Sequence, residues 1–417
     1  MKKYVKAFTA ACMMISLCGC QIDYSESNTI SKSTSKSIKI GIDDFQTNEV
    51  QTNAWDNTDS AAKPSTEPTL SEPEKLMQKL TLHQKVCQMF MIRPEQVTSY
   101  EYVTIADEPY KNGIMELPVG GIVMYDKNLS SYEQTAQFNA YTQSFSREAC
   151  GVGMFTAIDE EGGAVARAAK SLGTTSFNGM RYYGDMRDAA VTFDVGKTIG
   201  TDISSLGFNV DFAPVADVSI NGYNELGNRI FSSDPDVVAE MVSAFVKGIH
   251  EGGVCATLKH FPGLGAEDGN THYDSSVMLY RSIDELRQTE FVPFISGIAA
   301  GADFVMVGHQ KISGFGDDLP SDLSYTAVTT FLRNELGFGG LILTDSHEMT
   351  TIANDYGSGT AAVMAVEAGV DIILMPQDLR AAVSAVEQAV NDGTISQERI
   401  DRSVKRILDK KYEMGLF

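Results

Sequence analysis

The chain has 417 residues, of which 43% are hydrophobic and 21% are charged, and its formal net charge at pH 7 is −22. This composition is typical of a globular protein that is long enough to bury a large core in one or two domains. Because nucleic acids are bound through clustered lysine and arginine, so acidic a chain argues against a nucleic-acid partner.

The N-terminal residues have the pattern of a targeting signal. Lysines at the start precede an apolar stretch from Phe8 to Leu17, which is too short to span a bilayer. The stretch ends in Leu17-Cys18-Gly19-Cys20, which resembles the signal of bacterial lipoproteins; a plain secretory signal is the alternative. We therefore expect residues 1–19 to be removed, and a lipid on Cys20 to hold the protein at the extracytoplasmic face of the cell membrane.

Residues 20–72 differ in composition from the rest of the chain. They are rich in Ser, Thr, Asn, Asp and Pro, which predicts a disordered tether that follows the lipidated cysteine. Beyond Cys20 the only cysteines are Cys87, Cys150 and Cys255, too scattered for a disulfide framework or a metal cluster. Cys87 and Cys255 lie in apolar runs and are expected in the core. With no metal-ligand spacing and no nucleotide loop, we predict no metal and no cofactor.

From residue 73 to residue 417, short apolar runs alternate with amphipathic stretches that predict helices, among them Ser282–Ala300. Near-continuous apolar runs are typical of parallel strands that are buried on both faces. The eight runs are Cys87–Ile92, Gly121–Tyr125, Gly153–Ile158, Phe208–Phe212, Val254–Leu258, Phe304–Val307, Leu341–Thr344 and Asp371–Met375. They predict an α/β fold, a (β/α)8 TIM barrel forming a single catalytic domain with no C-terminal α/β sandwich domain. An open doubly wound sheet is the alternative, but it usually has fewer strands.

Polar and titratable residues follow five of these runs. Active sites of TIM barrels lie at the carboxyl ends of the strands, so these residues are expected to meet at one rim. They are Asp159 to Glu161, Asp217, Lys259 with His260, His309, and Asp345 with His347.

The order of these motifs resembles glycoside hydrolase family 3. The matching segments are Ile158-Asp-Glu-Glu-Gly-Gly with Arg167, Asn209-Val-Asp-Phe-Ala-Pro, Gly227-Asn-Arg-Ile-Phe, Lys259-His-Phe-Pro-Gly and Leu343-Thr-Asp-Ser. The likeness extends from about Glu74 to Phe417 and is strongest to the single-domain β-N-acetylglucosaminidases of the family. The resemblance implies hydrolysis of terminal β-linked N-acetylglucosamine from cell-wall or chitin-derived saccharides. We expect the protein to be a monomer.

The resemblance also implies the catalytic residues. Asp345 matches the nucleophile, which forms a covalent glycosyl-enzyme that water then hydrolyses with retained configuration. His272 matches the histidine that protonates the leaving oxygen and later activates water, and an imidazole pKa near about 6.5 suits both steps. A helix cap for Asp345 and an exposed loop position for His272 are the structural alternatives.

Residues that match substrate-binding positions form a second set. Charged groups hold sugar hydroxyls well through charge-assisted hydrogen bonds, although any one of them could instead form an ion pair at the rim. The set comprises Asp159, Arg167, Arg229, Lys259 and His260. His309 and Asp217 are candidates for supporting roles, while His347 and Glu348 follow the nucleophile and could shape the rim.

Two departures from the family pattern affect the catalytic loop. Gly263-Leu264-Gly265 stands where Gly-His-Gly is usual, and Asn270 stands where the family has an aspartate that pairs with the histidine. Asparagine can orient His272 but adds no charge. Three alternatives to the acetylglucosaminidase stay open. One is a sugar-binding protein without turnover, and another is a β-glucosidase or β-xylosidase, because the motifs for the sugar ring are shared across the family. The third is a phosphorylase, because a histidine acid/base lacks the negative charge of a carboxylate and could admit phosphate as acceptor.

Overall fold

The structure is a computed structural model that describes residues 70–266 and 277–417. The predicted signal peptide, nearly all of the predicted tether, Asn270 and His272 lie outside these ranges, so what was said of them remains a prediction. Among the described helices, none combines the length and the hydropathy needed to cross a membrane.

Eight parallel strands form the centre of the fold, as predicted. They are β1 (Phe90–Ile92), β2 (Gly121–Met124), β3 (Phe155–Ile158), β4 (Val210–Asp211), β5 (Cys255–Phe261), β6 (Phe304–Val307), β7 (Leu341–Thr344) and β8 (Ile373–Leu374). Neighbouring strands pair in the order β7-β6-β5-β4-β3-β2-β1-β8. A parallel bridge between Leu343 and Ile372 joins β7 to the segment that leads into β8, so the eight strands surround a common axis. The predicted TIM barrel is confirmed.

Helices cover the outside of the barrel. In chain order they are Glu72–Met77, Leu82–Gln88, Glu108–Glu116, Tyr132–Cys150, Arg167–Leu172, Met180–Met186, Ala189–Ser205, Pro235–Glu251, Ile283–Gln288, Phe291–Ala299, the π-helix Thr326–Glu335, Thr350–Ala353, Ser358–Ala368, Leu379–Asn391 and Gln397–Glu413. Several begin at side chains that accept backbone N–H groups of the first turn, among them Ser131, Asp188 and Ser396. These caps define where the helices start on the barrel surface.

Two boundaries differ from the prediction for physical reasons. The stretch Ser282–Ala300, predicted as one helix, is two helices because the backbone leaves helical geometry at Thr289, where φ is −129°. Next to this break the buried Glu290 binds Arg281, with Arg281 Nε 2.7 Å from Glu290 Oε1. Cys87 belongs to a helix and not to the first strand, although it is buried in the core as expected.

The amino-terminal end of the barrel is filled with side chains. Phe155 and Phe304, at the starts of β3 and β6, meet edge to face with ring centroids 5.2 Å apart. Lys411, fully buried, places its Nζ 5.1 Å from the centroid of Phe155. The opposite, carboxyl end carries two small additional sheets, Glu160–Gly162 with Val165–Ala166 and Met278–Leu279 with Lys311–Ile312. Because side chains fill the amino-terminal end, the open space of the barrel lies at the carboxyl end, where the predicted rim is.

Candidate active site

A cavity of about 900 Å³ opens at the carboxyl ends of the strands. Six of the eight residues predicted for catalysis and sugar binding line it: Asp159, Arg167, Arg229, Lys259, His260 and Asp345. They come from segments that are far apart in the chain, and the barrel brings them together because all its strands run in the same direction. The other two, Asn270 and His272, lie outside the described residues.

Asp345 follows the last residue of β7 directly. Its backbone N–H donates to the Val307 carbonyl over 2.8 Å, and the Ser346 N–H donates to Asp345 Oδ1 over 2.7 Å. Burial raises the pKa of the Asp345 carboxyl, but His309, His260 and Lys259 lower it further, so the pKa lies below its ordinary value. The side chain is therefore a carboxylate at neutral pH, as a nucleophile must be.

Glu161 joins two of the predicted sugar-binding cations. Its carboxylate accepts two bonds of 2.8 Å from the Arg229 guanidinium, and Lys259 Nζ lies 2.6 Å from Glu161 Oε1. Burial raises the pKa of Glu161, but Lys259 and Arg229 together bring that pKa down to about 2. Glu161 was not predicted as a site residue, although it stands in the Asp-Glu-Glu-Gly-Gly motif. It sets the positions of both cations, which act as the wall of the cavity.

Asp159 and Arg167 face each other across the same wall. Lys259 Nζ donates to Asp159 Oδ1 over 2.8 Å, while Arg167 Nη2 stays 3.7 Å from Asp159 Oδ2. The Arg167 guanidinium lies over the Tyr125 ring, 4.9 Å from its centroid. The buried Nε of Arg167 has no hydrogen-bond partner among the described residues. Arg167 is thus held by stacking and by one long contact, from Nη1 to Asp126 Oδ1 over 3.5 Å, and donor capacity of its guanidinium remains for a polar ligand.

His260 is oriented by Asp217. The ring Nδ1 lies 2.8 Å from Asp217 Oδ2, and the backbone N–H groups of His260 and Leu264 also donate to this carboxylate. With Nδ1 directed at the carboxylate, the ring presents its other edge to the cavity. Asp217, proposed as a supporting residue, does have the contacts of one. The expectation that the strand ends before Lys259 was wrong: β5 continues to Phe261, and the Lys259–His260 peptide within it is cis.

Arg93 and Glu348 close the cavity on another side. Arg93 Nη2 approaches Glu348 Oε1 to 2.5 Å, and Arg93 Nε lies 3.1 Å from Oε2. This pair ties the end of β1 to the turn after the nucleophile, so the expected role of Glu348 in shaping the rim has a structural basis. Arg93 was missed because it matches none of the motifs. Within residues 70–266 and 277–417, no group of three His, Cys, Asp or Glu side chains is arranged to hold a metal ion.

Comparison with known proteins identifies relatives of this chain. A family model described as the glycosyl hydrolase family 3 N terminal domain matches residues 81–409. Beta-hexosaminidase A of Pseudoalteromonas piscicida is 32% identical over 330 residues, which cover 72% of this chain and 54% of that protein. Beta-hexosaminidase of Stenotrophomonas maltophilia (strain R551-3) is 35% identical over 276 residues, which cover 64% of this chain and 80% of the relative.

A solved structure gives the same result. The glycoside hydrolase family 3 β-N-acetylglucosaminidase from Paenibacillus sp. str. FPU-7 superimposes with a TM-score of 0.76 at 35% identity, covering 81% of this chain and 63% of that one. The chain thus spans about half the length of the Pseudoalteromonas relative and less than two thirds of the Paenibacillus protein. The family match includes all eight barrel strands and every cavity residue named above. This chain belongs to glycoside hydrolase family 3.

Proposed function

We propose that the protein is a retaining exo-β-N-acetylglucosaminidase that releases terminal β-linked N-acetylglucosamine. The observation that carries the proposal is the ionised carboxylate of Asp345 in a cavity whose wall is formed by Asp159, Lys259 and Arg229. The names of the relatives support this sugar specificity, since they are hexosaminidases.

In the proposed reaction, Asp345 attacks the anomeric carbon as the bond to the leaving oxygen breaks. His272 donates a proton to that oxygen, and the product is a glycosyl ester of Asp345. His272 then takes a proton from water, whose oxygen attacks the same carbon, and the bonding electrons return to the carboxylate. Charged groups at the wall hold the sugar hydroxyls during both steps.

Asn270 is the feature that most affects the rate we expect. An aspartate at this position would both orient His272 and stabilise its imidazolium, whereas asparagine can only orient it. In serine proteases a comparable change from Asp to Asn lowers turnover by roughly 10⁴, and we take this as an upper limit. We propose that catalysis survives, with Asp268 or Asp274 of the same loop supplying negative charge.

Hydrolysis of an aryl N-acetyl-β-glucosaminide tests the proposal. We expect turnover by the wild type, loss of it in Asp345→Ala, and much slower cleavage of the aryl β-glucoside and β-xyloside. Asp194→Asn, an exposed acid on a surface helix, is the control and should behave as the wild type. Wild-type activity no higher than that of Asp345→Ala would refute the proposed glycosidase activity. Sugar 1-phosphate as the product in phosphate buffer would indicate phosphorolysis.

A sugar-binding protein without turnover is the second candidate, and Asn270 is the observation that favours it. In that case calorimetry would detect N-acetylglucosamine binding that Asp345→Ala leaves intact, while no aryl glycoside is cleaved by the wild type. Turnover that appears only in Asn270→Asp would also support this reading.

We also propose that Cys20 carries a lipid anchor, which rests on the sequence of the N-terminal segment. The full chain expressed in bacteria should separate with the membrane fraction, and Cys20→Ala should not. Mass spectrometry of an unmodified Cys20 in the mature protein would contradict the anchor.

A further inference from the structure

A chain of three buried side chains lies directly behind the nucleophile. His309 follows β6, Asp322 lies in the loop after it, and His347 is two residues beyond Asp345. All three side chains are fully buried. His347 Nε2 lies 2.8 Å from Asp322 Oδ2, and His309 Nδ1 lies 3.1 Å from Asp322 Oδ1. One carboxylate therefore sits between two imidazoles, and none of the three lines the cavity.

His309 connects this chain to the nucleophile. Its Nε2 lies 2.9 Å from the carbonyl oxygen of Ser346, whose own N–H donates to Asp345 Oδ1. The backbone of Asp345 is in turn bonded to Val307, two residues before His309. Two hydrogen bonds thus join the Asp345–Ser346 turn to the segment from Val307 to His309, one through the Asp345 N–H and one through the Ser346 carbonyl.

Both nitrogens of His309 face oxygen acceptors. Nε2 must carry a proton to donate to the Ser346 carbonyl. The contact of Nδ1 with Asp322 is off-line for a hydrogen bond, but a lone pair there would face a carboxylate. Burial lowers the pKa of His309, whereas Asp322 and Asp345 raise it, and the result is a pKa of about 9. The geometry and the charges agree that the ring is an imidazolium at neutral pH.

We propose that His309 is a positioning residue for the nucleophile: its imidazolium, held by Asp322, fixes the Asp345–Ser346 turn and keeps Asp345 ionised. This inference rests on the proposed function, since it assigns Asp345 as the nucleophile. The other groups whose charge acts on Asp345 are Lys259 and His260 from β5.

A positive charge behind the nucleophile matters most in the second step of the reaction. There the bond between the anomeric carbon and Asp345 breaks, and the electron pair returns to the carboxylate. A nearby cation stabilises the charged form of a carboxyl group. The Asp345 carboxylate is therefore a better leaving group when His309 is positively charged. Without the cation, the glycosyl ester should accumulate, so that kcat and KM should both fall and kcat/KM should change less.

The test compares His309→Gln with His250→Gln. Gln can still donate to the Ser346 carbonyl but carries no charge. His250 is a matched control because its Nε2 also pairs with an aspartate, 2.7 Å from Asp303 Oδ2, at the opposite end of the barrel. In His309→Gln we expect the acid limb of the kcat/KM profile to move up by about one pH unit, the smallest shift typical of removing a nearby opposite charge. His250→Gln should leave the limb in place.

An unmoved acid limb with unchanged kcat and KM in His309→Gln would overturn the proposal. Should that variant fail to fold, ¹⁵N NMR of the wild-type histidine rings supplies the answer. A slowly exchanging ring that is still doubly protonated at pH 8 is expected, and two neutral buried rings would overturn the inference. This measurement needs no turnover, so it stays distinct from a failure of the proposed function, which an inactive wild type would show.

Discussion

Glu160 and Glu161 are adjacent carboxylates on one short strand, and we predict that at pH 8 replacement by glutamine destabilises the fold at Glu161 but not at Glu160. Both are buried, with 2% and 1% of their surfaces exposed. Glu161 points to Lys259 and Arg229. Glu160 points the other way and accepts the backbone N–H groups at the start of the helix Arg167–Leu172, with Ala168 N 2.7 Å from its Oε2.

The size of the effect follows from the two pKa values. Lys259 and Arg229 bring the pKa of Glu161 to about 2, although burial raises it, so its charge stabilises the fold above pH 4.5 and loses this effect as the pH falls toward 2. This lowering of the Glu161 pKa from 4.5 to about 2 corresponds to about 3 kcal/mol of stability. Removing one partner of a buried ion pair costs about 3–5 kcal/mol, which agrees. Glu161→Gln should therefore lose about 3–5 kcal/mol at pH 7.

Glu160 has the reverse linkage. Burial raises its pKa to about 7, more than the backbone N–H groups lower it, so the folded state prefers the protonated acid. Stability then falls as the pH rises from 4.5 to 7, by about 3 kcal/mol in total. Glutamine removes this cost but accepts the helix N–H groups less well, a loss of about 1–2 kcal/mol. Glu160→Gln should thus be neutral or stabilising at pH 8 and destabilising at pH 5.

Denaturant unfolding followed by circular dichroism at pH 5, 7 and 8 measures these changes. The difference between the two variants at pH 8 is the informative result, because both replacements are chemically the same and lie side by side. A loss in Glu160→Gln at pH 8 as large as that in Glu161→Gln would refute the reasoning, as would a Glu161→Gln variant as stable as the wild type at pH 7.

Three further predictions concern other parts of the molecule. Burial lowers the pKa of Lys411 to about 7, so between about pH 7 and pH 10 the unfolded chain binds more protons than the folded one, and stability should rise with pH. Denaturant unfolding at these two pH values should show a rise of about 4–5 kcal/mol at most in the wild type. Lys411→Met should remove it. Asn270→Asp should raise kcat on an aryl N-acetyl-β-glucosaminide by about 10-fold or more, because the added charge stabilises protonated His272, and an unchanged kcat would contradict this role. Arg167→Lys should raise KM by about 10-fold with little change in kcat, since lysine cannot replace the planar stacking of the guanidinium on Tyr125. An unaltered KM would show that Arg167 does not contact the bound substrate.

The barrel itself could be predicted because its signal is local and repeated. Each of the eight apolar runs coincides with or overlaps a strand of the structure, and polar residues follow five of these runs. The site residues Asp159, Lys259 and Asp345 could be placed at one rim for the same reason. Arg93 could not be found, because its contact with Glu348 joins residues at opposite ends of the barrel sequence.

The sequence by itself determined where the eight strands lie, to within a few residues, and which family the chain resembles, since both are properties of short segments and their order. Only the tertiary structure decided what each polar residue does. It directs Glu161 to two cations and Glu160 to a helix end, although the two are identical and adjacent in the chain. It also places Asp322 between two histidines behind the nucleophile. The physical reason is that charge and burial depend on the neighbours in space, which come from distant segments, and a local pattern does not contain them.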